Sequence, residues 1–295
     1  MIRPMGERNA GAGDARAGGR STAPVVNVIA RGPDWSIYDY TCNAGPHDRP
    51  FEEKHDNASI AAVIAGSFTY RGNSGRALLY PGAFLLGNAG RRFECGHDHS
   101  TGDRCIAFNF SPAFFAEISA SAAGTSHFAF PAATLPVSKR LTALVAKVER
   151  TGSGMPPDAA GEVATHVAAT VIAAMSGHVA RPARISPRDE RRVADVLKHI
   201  EAHASSPLEL DMLASLVCMS KYHFLRVFRR AVGMTPYQYL LSIRMRRAAA
   251  RIALTSESVA SIAFDAGFGD LSTFNHRFRD LFGMNPVAYR RQGAN

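Results

Sequence analysis

The last hundred residues carry one pattern twice, fifty positions apart. Phe224, Phe228, Gly233, Met234, Pro236 and Tyr239 recur as Phe274, Phe278, Gly283, Met284, Pro286 and Tyr289. A repeat at a fixed offset constrains the fold before any single residue does, because each copy must form the same small unit. Each copy reads as a short helix, a tight turn, a second helix with basic residues, and a Gly-x-x-Pro stop. That is a helix-turn-helix, and two in tandem predict a DNA reader with two recognition helices.

The first copy follows a helix over 187–204, where Val193, Val196, Leu197 and Ile200 recur at helical spacing and Ser186-Pro187 provides an N-cap with Pro at N1. Leu210, Leu213, Ala214 and Val217 then form one apolar face, and Cys218-Met219-Ser220 forms the turn, with Ser220 placed to cap the next helix. In that next helix Phe224 and Phe228 face inward. Lys221, Tyr222, Leu225, Arg226 and Arg229 form the opposite stripe, which a major groove can receive. Arg226 suits a bidentate contact to guanine, Tyr222 a thymine methyl, and Arg229 a phosphate. Gly233 is a natural left-handed stop, and Pro236 opens a connecting helix over 237–254 whose charge comes from Arg244, Arg246, Arg247 and Arg251. At 1.5 Å per residue it holds the two heads roughly 25–30 Å apart. In the second copy Gly267-Phe268-Gly269 makes the turn and Asp270 caps the helix. Phe274 and Phe278 point to the core, and Leu271, Ser272, Asn275, His276 and Arg279 face out. Asn275 suits a bidentate contact to adenine.

Residues 193–291 resemble the AraC/XylS family of bacterial transcription regulators. The resemblance is carried by Leu213-Ala214, Met219-Ser220, Phe224-x-Arg226-x-Phe228, Gly233-Met234-x-Pro236, Tyr239-Leu240, Arg244, Ala248, Ile262-Ala263, Gly267-Phe268, Phe274-x-x-x-Phe278, Gly283-Met284-x-Pro286 and Tyr289-Arg290. It implies base contacts from Tyr222, Leu225 and Arg226 in the first head and from Leu271, Ser272, Asn275 and His276 in the second. The family often has Arg where this chain has His276. The resemblance also implies double-stranded promoter DNA and RNA polymerase as partners, and more often activation than repression.

Charge agrees with a polyanion partner. The chain of 295 residues carries a net charge of +9, and from Ser186 to Gln292 there are sixteen Lys and Arg against ten Asp and Glu. No apolar run approaches the ~20 residues of a bilayer span. Met1 to Pro24 is polar, rich in Gly, Ala and Arg, and has no secretory core. These features predict a disordered tail over 1–24 and a cytoplasmic protein, in which Cys42, Cys95, Cys105 and Cys218 are thiols or ligands rather than disulfides.

Between Ser59 and Phe110 the chain changes character. Short apolar runs over 60–64, 68–70, 77–80, 83–86 and 106–110 are punctuated by Gly66, Pro81-Gly82 and Gly87-Asn88, which predicts a small antiparallel barrel or sandwich. By family resemblance this region, 25–120, is a cupin-like β-barrel that senses an effector. Helical patterns at 111–121, 141–148 and 163–175 follow. The stretch 121–185 is expected to be a helical linker, packed within one chain or forming a homodimer, and 186–295 the DNA-binding domain. The whole is an α+β chain: a cupin-like barrel with a helical hairpin, then an all-α double helix-turn-helix.

One further cluster carries chemistry. Cys95, His97 and His99 lie two apart on an extended segment and so share a face, and Cys105 lies on the next strand. Such a set suits Zn, Cu or Fe. The Glu of the usual cupin metal pattern does not follow it, and a solvated loop with a buried thiol is the alternative. Two functional readings remain open. One is an effector-responsive regulator, with a small molecule or a metal as effector. The other is a metal-dependent cupin-type enzyme fused to a DNA-binding domain.

Overall fold

The structure, a computed structural model, describes residues 24–48, 50–72, 75–97, 102–151, 157–177 and 185–293. The expected tail lies outside them apart from Pro24, as do residues 152–156 and 178–184 of the stretch expected as a helical linker. Contacts divide the chain into two compact units: the described residues up to 135 with 157–177 fall in one, and 136–151 with 185–293 in the other. The stretch 121–185 therefore contributes a helix to each. None of the described helices is long and apolar enough to cross a membrane.

The first unit is built from two antiparallel sheets. One has six strands in the order β1 (Val25–Arg31), β2 (Trp35–Cys42), β9 (Asp103–Phe110), β4 (Ala58–Gly66), β7 (Phe84–Gly87) and β10 (Thr134–Leu135); the other has β3 (Phe51–Lys54), β8 (Arg92–Gly96), β5 (Phe68–Gly72) and β6 (Gly75–Leu79). Among the described residues no ladder joins the two sheets, so they form two open layers and not the closed barrel expected from the family resemblance. β4 and β9 are almost continuously buried, which fits strands covered on both faces. Beside them, α3 (Pro157–Met175) packs on β2, the neighbour of β9, and on α1 (Pro112–Ala123). It comes close because Gly161 has no side chain: a Cβ there would meet the Trp35 ring at 3.1 Å.

The second unit contains α2 (Lys139–Thr151), α4 (Pro187–Ala202), α5 (Leu210–Leu216), α6 (Lys221–Val232), α7 (Pro236–Leu254), α8 (Val259–Asp265), α9 (Leu271–Phe282) and α10 (Pro286–Gly293). The repeat has a packing explanation. Phe224, Phe228 and Tyr239 form an aromatic chain with centroids 5.7 and 6.2 Å apart, and Phe274, Phe278 and Tyr289 repeat it at 5.6 and 5.3 Å. All four Phe residues are fully buried. Full burial of each such ring contributes about 1.5–3 kcal/mol, which makes them the centre of each half.

The stops behave as the sequence requires. Gly233 and Gly283 adopt φ of 80° and 73°, and their N–H groups close the last turns of α6 and α9. Thr235 and Gln238 form a reciprocal capping box at the start of α7, and Asp270 accepts from the Thr273 N–H at 2.6 Å to cap α9. Ser220 occupies the N-cap of α6 in extended geometry, yet its hydroxyl makes no capping hydrogen bond.

Candidate nucleic-acid interface

Two helices present polar stripes for the same structural reason. In α6 the buried residues are Phe224, Val227, Phe228 and Val232, so the 3.6-residue period turns Lys221, Tyr222, Arg226 and Arg229 outward. Tyr222 is 85% exposed, unusual for a large ring and fitting for one that awaits a partner surface. Leu225 is half-buried between the stripe and the core. Arg226 lies 2.9 Å from His223 Nδ1, which steadies its guanidinium along the helix, and Lys221 is tied to Asp211 of α5 at 2.6 Å. In α9, Phe274 and Phe278 are buried, while Ser272, His276 and Arg279 are exposed and Asn275 is half-exposed. Leu271 packs against the second core, and His276 faces Asp280 at 3.5 Å. Each stripe borders an open concavity, one of about 570 Å³ beside Tyr222, Leu225, Arg226 and Arg229, the other of about 450 Å³ beside Ser272 and His276.

The arginines of α7 do something different from supplying charge to a partner. Arg244 donates to three carbonyls, Ala204 at 2.6 Å, Gly267 at 2.7 Å and Ser206 at 2.8 Å. Arg246 is 3% exposed and pairs with Glu149 of α2 at 2.8 Å. Arg247 donates to the Glu201 carbonyl, and Arg251 binds Glu257 and Asp265. They hold the two halves together. Within the described residues, by contrast, no ion pair involves Arg226, Arg229 or Arg279.

The Cys/His cluster in the first unit is rearranged relative to the sequence expectation. The structure brings together Cys42, His97 and Asp103, whose ligand atoms all lie within 4.8 Å of one another. Of the expected set, His97 belongs to this group. Cys105 is adjacent, its thiol donating to Asp103 at 3.4 Å, and Cys95 lines the same cavity without joining the trio. His99 lies outside the described residues. His97 Nε2 sits 2.5 Å from Asp103 and is held protonated to about 9 against the cost of its burial, chiefly by that contact. Burial pushes the Cys95 and Cys105 thiols well up. Cys42 was out of reach of spacing rules, because it meets Asp103 only through the β2–β9 register. The cavity beside these groups is about 60 Å³, far below the ~300–1,000 Å³ of ordinary small-molecule sites.

Comparison with known proteins bears on the helical unit. A helix-turn-helix domain model matches residues 213–292. Over 99 residues the chain is 32% identical to the Transposon Tn10 TetD protein of Escherichia coli, covering 34% of this chain and 72% of that protein. The chain belongs to the AraC/XylS family. It is also similar to the AraC/XylS-type HTH-type transcriptional regulator ArgR of Pseudomonas aeruginosa, at 33% identity over 93 residues. That match covers 32% of this chain but only 28% of ArgR. Among solved structures, the DNA-binding domain of AdpA in complex with a target DNA is 29% identical, with a TM-score of 0.33, over 34% of this chain and 91% of that one.

Proposed function

We propose that this AraC/XylS-family chain is a sequence-specific, DNA-binding transcription regulator that places α6 and α9 in successive major grooves of promoter DNA. One observation carries the reading: two helices, each anchored by the same buried aromatic chain, each expose a stripe of polar and basic residues on the face away from the core. Arg226 reads guanine and Asn275 adenine. Tyr222, Leu225, Leu271, Ser272 and His276 complete the base-facing surface, while Lys221, Arg229 and Arg279 meet phosphates. The nineteen residues of α7 give a connector of roughly 28 Å, close to the ~34 Å between major grooves on one face of the duplex.

The two-sheet unit is the effector-sensing part, of cupin type, and the protein acts in the cytoplasm, as an activator that contacts RNA polymerase. An effector shifts DNA binding only through different affinities for DNA-competent and incompetent states. The alternative, a metal-dependent cupin-type enzyme, calls for a substrate pocket beside the Cys/His cluster, where the cavity lined by the described residues is about 60 Å³. Selection of bound sequences from a random duplex library tests the proposal. Two enriched elements with centres about one helical turn, roughly 10 base pairs, apart are expected. Enrichment of a single element, or none, overturns it.

A further inference from the structure

We propose that Cys42, His97 and Asp103 bind one divalent ion of the zinc class, closing one end of the two-sheet unit. The three residues come from separate segments. Cys42 ends β2 and Asp103 begins β9 directly opposite it, and His97 follows β8 in the other sheet. An ion here links the two sheets where no hydrogen-bond ladder does so among the described residues.

The surroundings are those of a built site. Cys42 is 6% exposed, His97 4%, and the Asp103 side chain 9%. The backbone is packed against them without slack. Gly66 and Gly102 both adopt positive φ; a Cβ on Gly66 would lie 2.2 Å from the Gly102 carbonyl, and one on Gly102 2.8 Å from the Cys42 carbonyl. This glycine contact fixes the start of β9, and hence Asp103, against the end of β2.

The donor set selects the ion. Thiolate is soft, imidazole borderline and carboxylate hard, a mixture that suits zinc and its neighbours; Mg²⁺ and Ca²⁺ prefer all-oxygen shells. Tetrahedral ligands at zinc bond lengths of ~2.0–2.3 Å sit further apart than the 2.5 Å between His97 Nε2 and Asp103, so this pair opens to admit the ion while all three ligand atoms stay within 4.8 Å of one another. The fourth position opens on the 60 Å³ cavity, sufficient for a water and an ion but not for an organic molecule. The Cys105 thiol, hydrogen-bonded to the free oxygen of Asp103, orients that carboxylate from outside the ligand shell. Binding displaces the thiol proton of Cys42 and the proton that His97 shares with Asp103, leaving a thiolate, a neutral imidazole and a carboxylate around the cation.

The test is titration of the full-length, metal-stripped protein with Co²⁺, followed by Zn²⁺ competition. The expected result is one equivalent of Co²⁺ with strong visible bands and a near-ultraviolet thiolate band, both erased by Zn²⁺. Cys42→Ser should abolish the near-ultraviolet band, Asp103→Asn should weaken binding at least ~10-fold, and Cys218→Ser, in the helical unit, should change nothing. No uptake of Co²⁺, or a thiolate band that survives Cys42→Ser, overturns the proposal. If Cys42→Ser fails to fold, alkylation of the wild type decides: Zn²⁺ must protect Cys42, and equal labelling with and without Zn²⁺ refutes the site. The proposal does not rest on the DNA reading, and duplex binding by the same metal-stripped protein tests that reading separately.

Discussion

Arg244→Ala should destabilise the helical unit by about 3–4 kcal/mol, far more than loss of an exposed charge. The guanidinium donates to Ala204 and Gly267 in partly buried positions and to Ser206 at the surface. Charged hydrogen bonds contribute about 1.5–3 kcal/mol each, but water replaces part of this at the surface bond. Taking about 1.5 for each inner bond and about 0.5 for the outer gives roughly 3.5 kcal/mol. A weak cation–π contact with Phe268, 6.0 Å from the ring centroid, adds little. Arg244→Lys keeps the charge but reaches one carbonyl, and should recover about 1 kcal/mol. Two probes separate the units during urea unfolding of the full chain. The single tryptophan, Trp35, lies in β2 and reports the sheets, while most of the helical circular dichroism comes from the second unit. With a slope of about 2 kcal/mol per molar urea, the helical midpoint should fall by about 1.5–2 M while the Trp35 transition stays in place. A helical midpoint unchanged from wild type, or an equal shift in both probes, refutes the assigned role.

Other consequences are smaller. Arg229→Ala should weaken binding equally on all duplexes and flatten the log–log salt dependence by about one unit; a changed base preference would make it a reading residue instead. His55 is fully buried and stacks on Phe93 at 4.2 Å, and desolvation lowers its pKa from 6.5 to about 4. The unfolded chain therefore takes up this proton first, so stability is intact above pH 6.5 and falls as pH drops toward 4. The loss should be about 2 kcal/mol between pH 7 and 5. Urea midpoints from Trp35 fluorescence check this, and a His55→Gln variant with the same pH slope would contradict it. Cys218 holds φ of 52° in the first turn, where the second copy uses Gly267 at 88°. Cys218→Gly should relieve about 0.5–1 kcal/mol of left-handed strain, read as a raised helical midpoint, and a lowered midpoint would count against that account.

The repeat was the most legible feature because identical residues at one offset report identical packing: both aromatic chains and both Gly stops follow from it. The helices were readable from period and caps, and β4 to β7 and β9 from short apolar runs between glycines. β3 and β8 were not, since Phe51–Lys54 and Arg92–Gly96 are short and charge-rich, and neither alternates cleanly. The arginines of α7 were misleading for a related reason. Spacing places Arg244 on a helix face, but not beside the carbonyls after α4 and at the turn of the second copy. The α2 contribution to the helical unit, through Glu149 and Arg246, joins residues 97 positions apart and leaves no local trace. Cys42 depends likewise on strand register, which alternation alone does not fix across a long loop.

Whether α6 and α9 read separate elements decides between a two-headed reader and a single one. Affinities of wild type, Arg226→Ala and Asn275→Ala should be measured on the selected duplex and on versions with either element scrambled. Each substitution should cost about 1–3 kcal/mol on the intact duplex and remove discrimination at one element only, a different one for each variant. Loss at the same element by both variants, or at neither, would contradict the two-headed reading.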